Sequence, residues 1–289
     1  MEAAEGFWDW YQATVDGTAD ELLGGCFELA QGQPKLNHVR APHGYATSTV
    51  LKDDVGTVAT VWHGGTHERP HVLFTSGAAV AGAQFLRTHY EGKHVPTRVD
   101  ARLDFSTAGA FDRMLPVAVE VARERQIRVF AQGDHFVTMK GRGIELGAKS
   151  SAVRMRLYDK AEEQRVKHAK DPVKLLQIPD DWTRLEAQVR PETREGKLKL
   201  ATVEPLALFG ASLWLREVLK GVVGLDLDPL VFTKPFRDSD EDRAWAFLLA
   251  QYGGLLHRRK DKHGSWAALG AQIGSDLAER AIAQRKLRR

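Results

Sequence analysis

The chain has 289 residues, of which 43% are hydrophobic and 27% are charged, and its formal net charge is +3. This composition excludes global disorder and suits one large domain, or a main domain with a smaller companion. No apolar run is long enough to cross a bilayer, and the first residues lack the features of a secretory signal. Cys26 is the only cysteine, which excludes an internal disulfide and a cysteine-based zinc site. A cytoplasmic protein is expected, without a membrane partner.

Alternating and helical hydrophobic patterns predict a mixture of strands and helices over the first two thirds of the chain. In chain order, the predicted elements are a strand at 8–16, a helix at 19–31, hairpin strands within 44–76, a helix at 78–90, a strand at 97–105, a helix at 110–126, strands in IRVFAQ, GIELGAK and AVRMRLYDK, a helix at 161–170 and a strand at 181–191.

Beyond about residue 205 the pattern becomes mostly helical. We therefore expect an α+β fold, with an antiparallel-sheet domain at 1–203 and a smaller helical domain at 204–289. Basic clusters such as LHRRKDKHG make the second domain a candidate DNA-binding region, although a solvated surface explains them equally well. Trp214, Trp245 and Trp266 are expected in its core.

Three predicted strands each carry one apolar and one polar face, because side chains alternate along a strand. The polar faces hold Asp100, Arg102 and Asp104; Arg154, Arg156 and Tyr158; and Arg184, Glu186, Gln188 and Arg190. Cross-strand ion pairs on a half-solvated sheet would explain such faces. Aspartate is depleted in strands, however, and carboxylates are the ligands that Mg²⁺ and Mn²⁺ prefer, while arginines bind phosphate oxygens. The pattern leaves both interpretations open.

The same three strands resemble motifs of the replication initiation factor family of rolling-circle plasmids and filamentous phages. TRVDARLDF resembles that family's first strand motif, GIELGAKSSAVRMRLYDKAEEQ its central segment, and DWTRLEAQVRP its last. The opening WDWYQATVDG resembles the phage-type members. The motifs stand in family order over roughly residues 8–191.

The resemblance implies an origin-specific nicking enzyme that forms a 5′-phosphotyrosine and later transfers the strand. Tyr158 matches the nucleophile, with Arg156 and Lys160 beside it as catalytic residues. Asp100, Asp104 and Glu186 match carboxylates associated with a divalent metal, Mg²⁺ or Mn²⁺. The expected DNA contacts are Arg102, Arg154, Arg184 and Lys149. The expected partners are the replication origin, its single-stranded nick site, and a host helicase and polymerase; a homodimer stays open.

Several alternatives remain at this point. A conjugative relaxase would use the same site, a catalytically silent origin-binding protein would keep only the surface, and a nuclease would use water in place of Tyr158. Glu145 stands where the family leads us to expect an aromatic residue, and it is either an extra ligand or simply exposed. His63, His67 and His71 have a spacing that could suggest a metal cluster, but the glycines and proline between them favour a loop.

Overall fold

The computed structural model describes residues 5–230, 232 and 240–287. The chain divides into two compact units, Met1–Lys234 and Pro235–Arg289. Within the described residues, no helix is both long and apolar enough to span a membrane.

Ten antiparallel strands of the first unit form one sheet. They are β1 (Phe7–Val15), β2 (Lys35–Arg40), β3 (Thr47–Lys52), β4 (Thr57–His63), β5 (His71–Thr75), β6 (His94–Phe105), β7 (Val129–Gln132), β8 (Gly143–Leu146), β9 (Val153–Asp159) and β10 (Thr183–Val189). Their order across the sheet is β2-β3-β4-β5-β1-β6-β10-β9-β8-β7. The three motif strands, β6, β10 and β9, are therefore neighbours near the middle, as the sequence predicted.

Among the described residues of the first unit, seven helices and a 3₁₀ segment accompany this sheet. They are α1 (Ala19–Phe27), α2 (Gly77–His89), α3 (Ala110–Glu124), α4 (Lys160–Lys167), α5 (Pro172–Leu176), α6 (Arg194–Leu200), the 3₁₀ segment Leu206–Ala211 and α7 (Leu213–Val223). Buried apolar residues from α1, α2, α3, α6, the 3₁₀ segment and α7 pack with one face of the sheet in a single core. The opposite face of the central strands carries their polar side chains.

Helix ends follow local sequence signals. Thr18 begins α1 with a capping box, in which its side chain accepts from the Glu21 amide and Glu21 accepts from the Thr18 amide. The Asp159 side chain accepts from the Glu162 amide and so begins α4. Because Asp159 directly follows Tyr158, this cap ends β9 beside the predicted nucleophile.

The first unit extends to residue 234, further than the boundary at 203 expected from the sequence. Leu208 and Phe209 of the 3₁₀ segment are fully buried, and so are Leu215, Val218 and Leu219 of α7. These helical segments belong to the first unit, because their buried apolar side chains pack in the same core as the apolar face of the sheet. Just before the expected boundary the chain forms α6. Strand β2, which the sequence analysis did not predict, lies at the sheet edge with every residue exposed.

In the described part of the second unit, residues 240–287, there are two helices, α8 (Asp240–His263) and α9 (Trp266–Leu287). They contact each other, and His257 meets Trp266 edge-on with ring centroids 5.1 Å apart. Trp245 and Trp266 are more than half exposed, so their expected place in a core is wrong. Trp214 lies in α7, partly buried against the core of the first unit.

Candidate active site

Strand register brings the predicted site residues to one face of the sheet. Residues that pair directly across an antiparallel sheet share a face. Three adjoining rows run across β6, β10 and β9: Asp104, Arg184 and Tyr158; Arg102, Glu186 and Arg156; and Asp100, Gln188 and Arg154. The prediction that Asp100, Asp104, Tyr158 and Glu186 lie on one face is thus confirmed.

Tyr158 is bonded to the carboxylate of the neighbouring row. Its hydroxyl donates to Glu186 Oε1 at 2.6 Å. Burial raises the pKa of Tyr158 well above its ordinary value of 10, and the negative charge of Glu186 raises it further. The phenol is therefore protonated at neutral pH, and it needs a proton acceptor to become a nucleophile.

Glu186 is the buried carboxylate at the centre of this face, with only 1% of its surface exposed. Burial raises its pKa, and the charge of Asp9 adds to that shift, whereas Arg156 opposes it. Arg156 forms an ion pair with Glu186 Oε2 and lies 3.8 Å from Asp100 Oδ2. Glu186 Oε2 has no partner with hydrogen-bond geometry. A carboxylate with a raised pKa beside a phenol is well placed to accept its proton.

Arg184, which lies beside Tyr158 in the same row, binds two further carboxylates, Asp104 and Asp9. Its Nε and Nη2 donate to the two oxygens of Asp104 at 2.6 and 3.1 Å, and its Nη1 donates to Asp9 at 3.0 Å. Burial disfavours the charge of Arg184, but the bonds and charges of Asp104 and Asp9 outweigh it and raise its pKa. Trp182 Nε1 also donates to Asp104, at 2.8 Å.

Asp9 was missed in the sequence analysis. It lies at an irregularity in the pairing of β1 with β6, where the register shifts between Trp8 and Trp10. Strict alternation would turn Asp9 away from the polar face, but a bulge redirects a side chain. The WDW triplet, an aspartate between two aromatic residues in a strand, was the available signal.

The three carboxylates predicted as metal ligands are each engaged by an arginine. Asp100 is fully buried and accepts from Arg98 at 2.9 and 2.5 Å and from Gln188 at 3.1 Å. Asp100 and Asp104 are four residues apart on one strand, about 13 Å, whereas a divalent ion binds its oxygens at about 2.0–2.6 Å. The three carboxylates therefore do not fit one ion in this arrangement. Among the described residues, no group of three or more acidic, histidine or cysteine side chains is arranged to hold a metal.

The other predicted site residues lie at different distances from Tyr158. Lys160 is buried; its Nζ pairs with Glu163 and lies 5.5 Å from the Tyr158 ring centroid. Arg154 pairs with Glu145, which faces Arg156 across β8 and β9. Lys149 is exposed in the turn between these strands, outside the three rows.

A groove of about 330 Å³ opens beside Tyr158. Its walls include Arg142, Glu145, Arg156 and, from α4, Glu162. Gly143 pairs directly with Tyr158, and a Cβ atom there would lie 3.0 Å from the Tyr158 Cβ. A side chain at Gly143 would thus crowd Tyr158 where both residues line the groove.

The three histidines of the WHGGTHERPHV segment have separate partners. His63 bonds to Thr49, His67 to the carbonyl of His43, and His71 to Gln12 and Thr14. His63 ends β4 and His71 begins β5, so the predicted loop spans only the residues between them.

The fold and this polar face define an α+β protein with an antiparallel sheet that helices cover on one side. A solved structure with a similar fold is described as the rolling circle replication initiator protein from Geobacillus stearothermophilus. The similarity has a TM-score of 0.50 at 17% sequence identity and covers 86% of this chain and 96% of that chain. No family model and no curated protein matches the sequence.

Proposed function

We propose that the protein initiates rolling-circle DNA replication by nicking one strand with Tyr158. The observation that carries the proposal is the bond from the Tyr158 hydroxyl to the buried Glu186, on a sheet face lined with arginines. The fold likeness to a replication initiator supports the same function. The sequence motifs lead independently to the same tyrosine.

The reaction is a transfer of a phosphodiester bond. Tyr158 Oη attacks the scissile phosphorus, the bond from phosphorus to the 3′ oxygen breaks, and a 5′-phosphotyrosine forms. The phenolic proton passes to Glu186 Oε1, and the departing 3′ oxygen takes a proton from solvent. The free 3′-OH then primes a polymerase, and the phosphotyrosine conserves the bond for later strand closure.

Glu186 has two proposed roles, proton acceptor and metal ligand, and it cannot perform both at the same time. As a proton acceptor it needs the Tyr158 bond that is present here. The resemblance implies that it is a metal ligand, and in that role it would have to lose its ion pair with Arg156 and bind the metal ion in its place. We assign it the first role and leave divalent-metal dependence as a prediction.

The arginines supply the positive charge that a pentacovalent phosphate requires. Arg156 is the most accessible of the arginines in these rows, with 38% of its side chain exposed, and it also lines the groove beside Tyr158. We assign Arg156 to the scissile phosphate. Arg184, at 3% exposure, orients Asp104 and supports the sheet.

The test is incubation with supercoiled DNA of the protein's own replicon, followed by mapping of the nick and of the modified peptide. We expect the DNA on the peptide containing RLYDK, joined through a 5′-phosphate. A nick without attached protein would assign the site to water-based hydrolysis. Origin binding with neither nick nor adduct would leave a silent DNA-binding protein.

A further inference from the structure

A second cluster of arginines lies on the same sheet face, beyond the site of Tyr158. Arg190 directly follows β10, and its amide donates to the Ala152 carbonyl at 2.7 Å, which continues the ladder by one residue. Since Val189 pairs with Val99, Arg190 stands opposite Arg98. Arg154 pairs with Gln188 and lies diagonally from Arg190. Three arginines thus stand close together at one end of the polar face, where the charges of Arg98 and Arg154 both act on Arg190.

Arg190 differs from its two neighbours in having no carboxylate of its own. Arg98 is engaged by Asp100 and Arg154 by Glu145. Within the described part of the chain, Arg190 has no ion pair or side-chain hydrogen bond. Its pKa is lowered by partial burial and then by the positive charges of Arg98 and Arg154, which the negative charge of Asp100 offsets only in part. An incoming anion would relieve both effects, since it neutralises the repulsion and satisfies the donors.

Trp10 forms a wall of the cluster. The guanidinium carbon of Arg98 lies 4.0 Å from the Trp10 ring centroid. Arg98 covers one face of the indole. Aromatic rings and arginines together suit a nucleic acid strand, because bases stack on the free face of a ring while the arginines hold the backbone.

We propose that Arg98, Arg154 and Arg190 form a second phosphate site, which binds the backbone of the DNA strand whose scissile phosphate lies at Tyr158. This inference rests on the proposed function. Arg184 pairs with Tyr158, and Arg190 is six residues further along the strand, a distance of about 20 Å. That distance corresponds to about six nucleotides at the stacked rise of ~3.4 Å. The second site would therefore hold the backbone about six nucleotides from the scissile phosphate.

Arg190→Gln is the informative substitution, because no carboxylate loses its partner. Binding of fluorescein-labelled single-stranded DNA, long enough to reach both sites, is measured by anisotropy over a range of salt concentrations. We expect affinity to fall about tenfold, the loss of one hydrogen-bonded contact to a charged group. The slope of log affinity against log salt should fall by about 0.7, the value for one phosphate on a single strand. Arg190→Lys should keep most of that slope.

The matched control is Arg123→Gln, which removes one exposed arginine from α3 and disturbs only its pair with Glu120. Arg190→Gln that binds DNA as the control does, with an unchanged salt slope, would overturn the proposal. Inorganic phosphate that binds the unmodified protein as tightly as the DNA does, at equal ionic strength, would also overturn it, because the site would then belong to a free anion.

The adduct assay separates this inference from the proposed function. If the unmodified protein forms the Tyr158 adduct while Arg190→Gln binds normally, only the second phosphate site is wrong. If Arg190 governs DNA binding but no adduct forms, the phosphate site stands and the nicking function is wrong.

Discussion

The bond between Tyr158 and Glu186 can be tested as a structural interaction before any activity is measured. Tyr158→Phe removes the donor and leaves Glu186 Oε1 buried without its hydrogen bond. A hydrogen bond to a charged group contributes about 1.5–3 kcal/mol, and the loss at a fully buried acceptor is not softened by solvent. We therefore expect Tyr158→Phe to lower the free energy of unfolding by about 1.5–3 kcal/mol, in addition to abolishing the adduct.

A double-mutant cycle with Glu186→Leu isolates the pair, because leucine, unlike glutamine, has no oxygen to accept the Tyr158 hydroxyl. Each single variant and the double variant are unfolded in urea and followed by tryptophan fluorescence. The coupling energy should be about 1.5–3 kcal/mol, because in the double variant neither partner remains to be left unpaired. A coupling below about 0.5 kcal/mol, within the scatter for independent sites, would refute the bond and with it the assignment of Glu186 as proton acceptor.

Three further predictions follow from other parts of the chain. Burial, followed by the charges of His43 and His67, lowers the pKa of His71 from 6.5 to about 4. The stabilisation from neutral His71 should therefore be complete above pH 6.5, and the free energy of unfolding should fall by about 3 kcal/mol as the pH drops to 4. Urea titrations of His71→Gln should lack this loss. Removal of 206–289 should unfold the protein, because it takes away the buried Leu208 and Phe209, whereas removal of 235–289 should leave the circular dichroism of the sheet unit intact. The resemblance predicts that chelation of divalent cations stops nicking and that Mg²⁺ restores it; full activity in excess EDTA would contradict this.

Periodicity predicted the sheet face well, because alternation fixes the side of a strand on which a residue lies. Once β6, β9 and β10 were identified, the shared face of Asp100, Tyr158 and Glu186 followed without knowledge of the sheet order. The resemblance added the expectation that these strands act together. The ladder pairs then place Tyr158 one row from Glu186, which alternation alone does not fix.

Other features could not be read from the sequence, since they depend on packing between distant segments. Asp9 reaches Arg184 only because of a bulge, and a bulge has no reliable signature in one strand. The expected metal ligands followed from the resemblance, whereas their actual partners depend on which arginine stands opposite each carboxylate. The domain boundary was placed where helices begin, but the 3₁₀ segment and α7 pack into the sheet unit. Helical pattern does not reveal which surface a helix covers.

Arg156 links DNA binding to the basicity of Glu186, and this gives a last prediction. Its positive charge is the strongest influence that lowers the pKa of Glu186, against burial, which raises it. If a DNA phosphate binds the Arg156 guanidinium in place of Glu186, the pKa of Glu186 rises. Glu186 then becomes a stronger base for the Tyr158 proton. Arg156→Gln mimics this loss without DNA. Because the reaction needs ionised Glu186, a higher pKa moves the acid limb of the rate profile to higher pH. The rate of adduct formation is measured against pH for Arg156→Gln, with Arg156→Lys as the charge-preserving control. An acid limb at the same pH in both variants would show that Glu186 does not accept the proton.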